Sequence, residues 1–267
     1  MTAVVESLAD GVVVAKRNLI KIKRVPELLV FTTIQPIMFI LLFAYVFGSA
    51  IDVPGIDYRE FLMAGIFAQT VVFGATFTGA GIADDMQKGI IDRFRSLPMS
   101  RSSVLIGRTA SDVVLNLLSV TVMSLTGLVV GWRIRTSVLE AIGGFLLLLA
   151  FAYALSWVMA YIGLIVPTTE VVQNASFIVL FPLTFIANTF VPIEGFPTVL
   201  RVIAEWNPVS TLTQGVRELF GNTSPALPPA DVWSLQNPVL YTTFWIIGIL
   251  VVFVPVATRQ YRRAAST

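Results

Sequence analysis

Read for apolar and polar positions, the chain divides into six long runs without Asp, Glu, Lys or Arg, separated by charged segments. The runs are Leu28–Ile51, Phe61–Ala83, Val113–Trp132, Ala141–Thr169, Val171–Ile193 and Val232–Thr258, of 24, 23, 20, 29, 23 and 27 residues. A hydrocarbon core about 30 Å thick needs roughly 20 apolar helical residues to cross it. The pattern therefore predicts an all-α membrane protein with six transmembrane helices, over about 28–51, 61–83, 111–132, 141–166, 171–193 and 238–258.

Amphipathic patterns occupy three segments between or before these runs. Val4, Leu8, Val12, Ala15, Leu19 and Ile22 form one stripe among Lys16, Arg17, Lys21, Lys23 and Arg24. This predicts an interfacial helix over 1–27, with a partly ordered basic tail as the alternative. Met86, Ile90, Phe94 and Leu97 repeat at helical spacing, with Lys88, Asp92, Arg93 and Arg95 on other faces and a stop near Pro98. Such a helix either lies against the membrane or offers an apolar ridge to a groove on a soluble partner. In 194–231, Val199, Leu200, Ile203 and Trp206 make a stripe ended by Asn207-Pro208. Val209, Leu212, Val216, Leu219 and Phe220 make a second, ended by Gly221-Asn222. Two such helices either dip into the outer leaflet and cap a cavity, or form an ordinary folded loop. Residues 222–229, with three prolines, read as a connection, and Asn222-Thr-Ser is a sequon too common to weigh.

Breakers and small residues refine the spans. Pro36 and Pro182 should kink the first and fifth helices. Gly65, Gly74, Gly79 and Gly81, with four alanines nearby, make the second a tightly packed, buried helix. Gly127 and Gly131 form a G-x-x-x-G pair, a weak dimerisation signal.

Composition agrees with the pattern: 56% of residues are hydrophobic and mean hydropathy is +0.83. The net charge of +2 matters less than its distribution. With the N-terminus inside, 13 Lys and Arg fall on the cytoplasmic side and 5 outside, which places both termini, including the tail 259–267, in the cytoplasm. The chain has neither His nor Cys, which excludes Ser-His and H-E-x-x-H proteases, thiolate chemistry and His-ligated haem. No P-loop occurs, and Lys88-Gly89 has the reverse order. Asp112 and Glu140 sit at span edges. Arg108 and Asp112, four apart, read as a structural pair on one helix face, with a proton relay as the alternative. The lack of a mid-span acid argues against a proton-driven pump and an aspartyl protease.

The run Gly89-Ile-Ile-Asp-Arg93-Phe-Arg-Ser-Leu-Pro98-Met-Ser-Arg101, followed by Gly107-Arg108 and Asp112, closely resembles the ABC-2 type transporter permeases, the daunorubicin-resistance-like branch in particular. Phe190-Val-Pro192, Phe196-Pro197, Trp206-Asn207-Pro208 and Arg217 resemble them again. The likeness covers essentially the whole chain; Ile193-Glu194-Gly195 is more polar than that pattern.

The resemblance implies the membrane subunit of an exporter for an amphipathic, drug-like or lipid-like substrate. A separate ATPase subunit, in two copies, would hold ATP and Mg, and this chain would carry no cofactor, metal or catalytic residue. A second permease, identical or not, would complete a dimer through spans one and five. Met86, Gly89, Ile90, Arg93, Phe94, Arg95, Leu97, Pro98 and Arg101 would form the coupling helix against the ATPase. Trp206, Asn207, Pro208 and Arg217 would belong to re-entrant helices at an external gate. The expected location is a bacterial plasma membrane, with lipid but no nucleic acid as partner. The rival readings are a scaffold that only recruits a cytosolic protein and, more remotely, an enzyme acting on lipid.

Overall fold

The computed structural model describes residues 15, 16, 18, 20, 26–48, 51, 53–90, 103–226 and 231–264. Among them are helices and connecting turns, and no strand. Helix α1 is Pro26–Leu41, continued by a π-helical stretch Leu42–Phe47. Then come α2 (Tyr58–Gly74), α3 (Thr76–Gln87), α4 (Ser103–Val130), α5 (Val138–Ile165) and α6 (Thr169–Phe185). A 3-10 turn, Ile193–Gly195, leads to α7 (Thr198–Glu205), α8 (Pro208–Phe220), α9 (Trp233–Gln236) and α10 (Pro238–Ala264). Four stretches, Tyr58–Gln87, Val104–Val130, Val138–Ile165 and Pro238–Arg263, are long and apolar enough to cross a membrane. The other two charge-free runs carry shorter apolar helices, Ile34–Phe47 and Thr169–Phe185. Most of the expected interfacial helix, 1–27, lies outside the described residues.

Helix α5 is apolar on every face, which suits packing on several sides at once, while Leu139, Ile142 and Leu146 remain exposed. It packs against α2, α3, α4, α8 and α10. Its start is fixed by a reciprocal cap: the Glu140 backbone N–H donates to Ser137 Oγ at 3.3 Å, and the Ser137 N–H donates to Glu140 Oε2 at 3.0 Å. Glu140 is thus spent on a helix end. The crossing with α3 is close: a methyl on Gly163 would lie 2.4 Å from the Gly79 carbonyl oxygen.

The second run is the most buried, as its small residues predict. Of its apolar stretch 72% is buried, against 11% for α10, which turns Leu240, Phe244, Ile247, Val251 and Val252 outward. It is two helices, however, interrupted at Ala75. The fifth run also differs from one uninterrupted helix. Pro182 stands in the last turn of α6, the helix stops at Phe185, and residues 186–192 continue without helical structure. Ala187, Asn188, Thr189 and Phe190 in that segment are nevertheless buried. The two amphipathic helices after it behave oppositely. The α8 stripe Val209, Leu212, Val216 and Phe220 is buried, whereas Val199, Val202 and Ile203 of α7 face outward.

Candidate functional site

Helix α3 leads from the bundle interior to the expected docking segment. Met86, placed by its spacing on the exposed ridge, is half-buried against an inner cluster that includes Ile82, Val104 and Trp157. Gly89 ends the helix with a φ of 63°, and Ile90 follows half-buried. Gln87 Nε2 donates to the Pro167 carbonyl at 2.9 Å, tying the end of α3 to the turn between α5 and α6. Lys88 pairs with Asp84 at 2.7 Å, and that carboxylate raises its ammonium above the ordinary lysine range. Arg93, Phe94, Arg95, Leu97, Pro98 and Arg101 lie outside the described residues.

One turn into α4, a polar cluster locks it to α3. Arg108 Nε lies 3.4 Å from Asp112 Oδ2, and both side chains are largely buried. Arg108 Nη2 donates to the Phe77 carbonyl at 2.7 Å, and the Thr78 hydroxyl donates to Asp112 Oδ2 at 2.5 Å. The guanidinium lies across Gly81, where a Cβ would come within 2.2 Å of Nη2. Asn18 Nδ2 joins from the N-terminal region by donating to Ser111 Oγ at 3.2 Å. A buried charge survives only when paired and hydrogen-bonded, and Asp112 is both. The i,i+4 spacing makes the pair readable; Thr78 and Asn18, distant in sequence, gave no signal.

Beside this cluster a cavity of about 210 Å³ opens between α1, α2, α4 and α6, at the interruption between α2 and α3. Phe39, Phe73, Phe77, Phe177 and Phe181 supply aromatic walls; Gln35, Gln69, Thr70, Asn116 and Ser119 supply polar groups. From the cavity a chain of rings runs to the end of the bundle that carries α7–α9. Successive centroid distances are 6.2 Å (Phe73–Phe177), 5.0 Å (Phe177–Phe181), 4.2 Å (Phe181–Phe185) and 5.1 Å (Phe185–Phe190). It continues at 4.5 Å to Phe43 and 4.9 Å to Phe47. All but the tighter Phe181–Phe185 stack fall within the range of favourable ring contacts. The sequence carries phenylalanines four apart at Phe43 and Phe47 of the π-helical stretch and along α6; their meeting through Phe190 needs the fold.

At the far end, one asparagine closes two helices. Asn207 Oδ1 accepts the Val209 N–H at 2.8 Å, capping α8, whose first residue is Pro208. Its Nδ2 donates to the Leu183 and Ile186 carbonyls, both at 2.7 Å, where α6 ends. Arg217, 2% exposed, binds the backbone of two other elements. Nε donates to the Phe61 carbonyl at 3.0 Å; Nη2 donates to Asn188 O at 2.6 Å and Thr189 O at 3.3 Å. Its Cζ lies 3.5 Å from the Phe61 ring centroid. The loop can approach this closely because a Cβ on Gly65 would sit 1.8 Å from Thr189 O. Glu194, in the polar departure from the family pattern, lines a second cavity of about 320 Å³ beside Arg217. Trp206 is 47% exposed and joins Tyr241, which contacts Trp233 and Trp245. Such a girdle of amphipathic rings suits a membrane–water interface.

Sequence reasoning missed a further brace at this end. Arg135 forks onto Glu60, with Nη2–Oε1 at 2.6 Å, and the carboxylate raises the guanidinium further. Asn222 accepts from Trp132 Nε1 at 2.7 Å and donates to Arg133 O at 2.9 Å. The sequon asparagine is therefore a buried structural group.

Comparison with known proteins gives the family of this architecture. Residues 11–220 match the family model described as ABC-2 type transporter. The chain belongs to that family. It is 31% identical over 246 residues to the daunorubicin resistance ABC transporter permease protein DrrB1 of Streptomyces coeruleorubidus, covering 92% of this chain and 83% of the relative. It is 24% identical over 234 residues to the probable doxorubicin resistance ABC transporter permease protein DrrC of Mycobacterium tuberculosis (87% and 81%). A putative transport permease, ycf38, of Cyanophora paradoxa is 24% identical over 241 residues (89% and 80%). This ABC-2 permease is thus a multi-pass membrane protein, a permease subunit of an ABC transporter, and its family implies an ATPase subunit as partner. The matched region includes the Arg108–Asp112–Thr78 cluster, the ring chain and Arg217.

Proposed function

We propose that this permease exports an amphipathic, drug-like or lipid-like substrate from the cytoplasm or inner leaflet, driven by ATP hydrolysis on separate nucleotide-binding subunits. Six spans with both termini cytoplasmic put the 84–101 segment inside and α7–α9 outside. Two ATPase subunits and a second permease, through spans one and five, complete the machine, in a plasma membrane that the charge distribution and bacterial relatives favour. One observation carries the reading: the second charge-free run lines the aromatic cavity at Gly74 and Thr76 and continues as α3 to Gln87, just before Gly89 at the threshold of the docking segment. A displacement there reaches the cavity through a single helix that is pinned to α4 by the Arg108–Asp112–Thr78 cluster. Ile90, Phe94 and Leu97 fill the ATPase groove, and Arg93 and Arg95 meet its rim. The ring chain supplies the outward path, with Trp206, Asn207, Pro208 and Arg217 framing its mouth. Two conformations with different ATPase contacts give ATP its hold on the equilibrium. Relatives whose names refer to daunorubicin and doxorubicin resistance support a drug-like amphiphile, which the mixed lining also suits.

Proteoliposomes containing the permease and its ATPase test this. ATP-dependent movement of a fluorescent amphiphile across the bilayer is the expected result. A stable complex that hydrolyses ATP but moves no amphiphile would make the chain a scaffold and overturn the proposal.

A further inference from the structure

The polar groups of the cavity differ in what they have left to offer. The Thr76 hydroxyl is spent on the Phe73 carbonyl at 2.7 Å. Asn116 Nδ2 is spent on the Asp112 carbonyl at 2.9 Å, which leaves Oδ1 as an acceptor. Asp112 lines the cavity, but its carboxylate is already neutralised by Arg108 and hydrogen-bonded by Thr78. A cation drawn there would face the Arg108 guanidinium as well as the carboxylate. Gln69, 7% exposed, makes no side-chain hydrogen bond among the described residues. Its amide offers two donors and an acceptor to whatever enters. These groups face the cavity and not the packed interior, so they are available to a ligand that enters it.

From this we infer that the cavity is a subsite for a flat aromatic ring system whose polar edge is uncharged and both donates and accepts hydrogen bonds, held between the phenylalanine walls with its edge on Gln69 and Asn116. The inference rests on the exporter reading and adds the substrate class. The volume suits a ring system of about two fused rings, since a cavity of about 150 Å³ holds benzene. The selectivity is against cations, because the carboxylate at the site already has its counter-ion.

A matched series of tritiated naphthalenes tests it on the whole permease in lipid nanodiscs, with empty nanodiscs subtracted for partitioning. Naphthalene-2-carboxamide should bind tightest, and 2-naphthylmethylammonium no better than 2-methylnaphthalene. Gln69→Leu and Asn116→Leu should each weaken the carboxamide by about three- to tenfold, the worth of one or two neutral hydrogen bonds, and leave 2-methylnaphthalene unchanged. Tightest binding of the ammonium would overturn the inference by making Asp112 a counter-ion for the ligand. Unaltered carboxamide affinity in both variants would overturn it too. The three-probe comparison in the unsubstituted chain needs no variant to fold. The assay uses neither ATP nor the partner, so a failure of transport in proteoliposomes would leave it standing, and ATP-driven transport without this binding pattern would sink only the subsite.

Discussion

Arg217 carries the sharpest stability prediction. Its guanidinium is buried, has no hydrogen-bonded carboxylate among the described residues, and is satisfied by three carbonyls and a ring face. Arg217→Met keeps most of the side-chain volume and removes every donor. The Asn188 and Thr189 carbonyls lie in a non-helical segment, so no backbone bond replaces what they lose. Each buried acceptor left open costs about 1–3 kcal/mol. Relief of the guanidinium's desolvation returns part of that, for a net loss of about 2–4 kcal/mol. Arg217→Lys should recover less than half, because an ammonium cannot fork to two elements in the plane of Nε and Nη2. Tyr58 holds the same loop to α2 through its hydroxyl on the Phe190 carbonyl at 3.1 Å. Tyr58→Phe alone should cost about 1 kcal/mol, and the double variant less than the sum of the two. Reversible unfolding in mixed micelles with increasing SDS fraction gives these values. A loss below about 1 kcal/mol for Arg217→Met would refute the claim that this residue holds the loop on α2.

Three further outcomes are expected. Gly163→Ala, with its methyl 2.4 Å from the Gly79 carbonyl, should destabilise by about 1–3 kcal/mol in the same titration, and Gly143→Ala, whose Cβ meets nothing closer than 3.7 Å, should be nearly neutral. Asp112→Ala should cost about 3–5 kcal/mol by leaving Arg108 buried and unpaired, while Arg108→Met with Asp112→Leu should cost far less; equal losses would refute the pairing. Phe94→Glu with Leu97→Glu should release the ATPase subunit in a detergent pull-down while the permease keeps its elution volume, and undiminished recovery of the partner would refute the docking ridge.

The apolar segments were legible because a bilayer leaves no choice: charge must be absent where a helix crosses lipid. Their ends were not, since long-range partners set them. The run Val171–Ile193 is charge-free to its last residue, yet α6 ends at Phe185 because Asn207, more than twenty residues later, takes the Leu183 and Ile186 carbonyls. Asn-Pro announces a helix start by itself; that the same amide group finishes another helix needs the fold. The interruption at Ala75 lies in a stretch whose glycines signal close packing without showing where the helix gives way. In the same way, Arg108 and Asp112 can be paired from spacing, and Arg217 can be named from resemblance. Its burial against three carbonyls follows only from Gly65 letting the loop onto α2.

Named polar groups at both ends of the bundle are committed to structure: Arg108, Asp112 and Thr78 at one, Asn207, Arg217 and Asn222 at the other. Gln69 stands between them with its amide uncommitted, and that contrast makes a prediction with an unusual sign. Were Gln69 part of the scaffold, Gln69→Leu would open a hydrogen bond and destabilise the chain. As a ligand group it makes no side-chain hydrogen bond among the described residues in the empty fold, and its amide lines the cavity. The apolar replacement, nearly the same size, should therefore leave the unfolding free energy unchanged or raise it by about 1 kcal/mol. Carboxamide binding should fall in the same sample, a trade of stability against activity that marks residues kept for function. Destabilisation beyond about 1 kcal/mol would show that Gln69 has a structural partner, and its claim on the substrate would lapse with it.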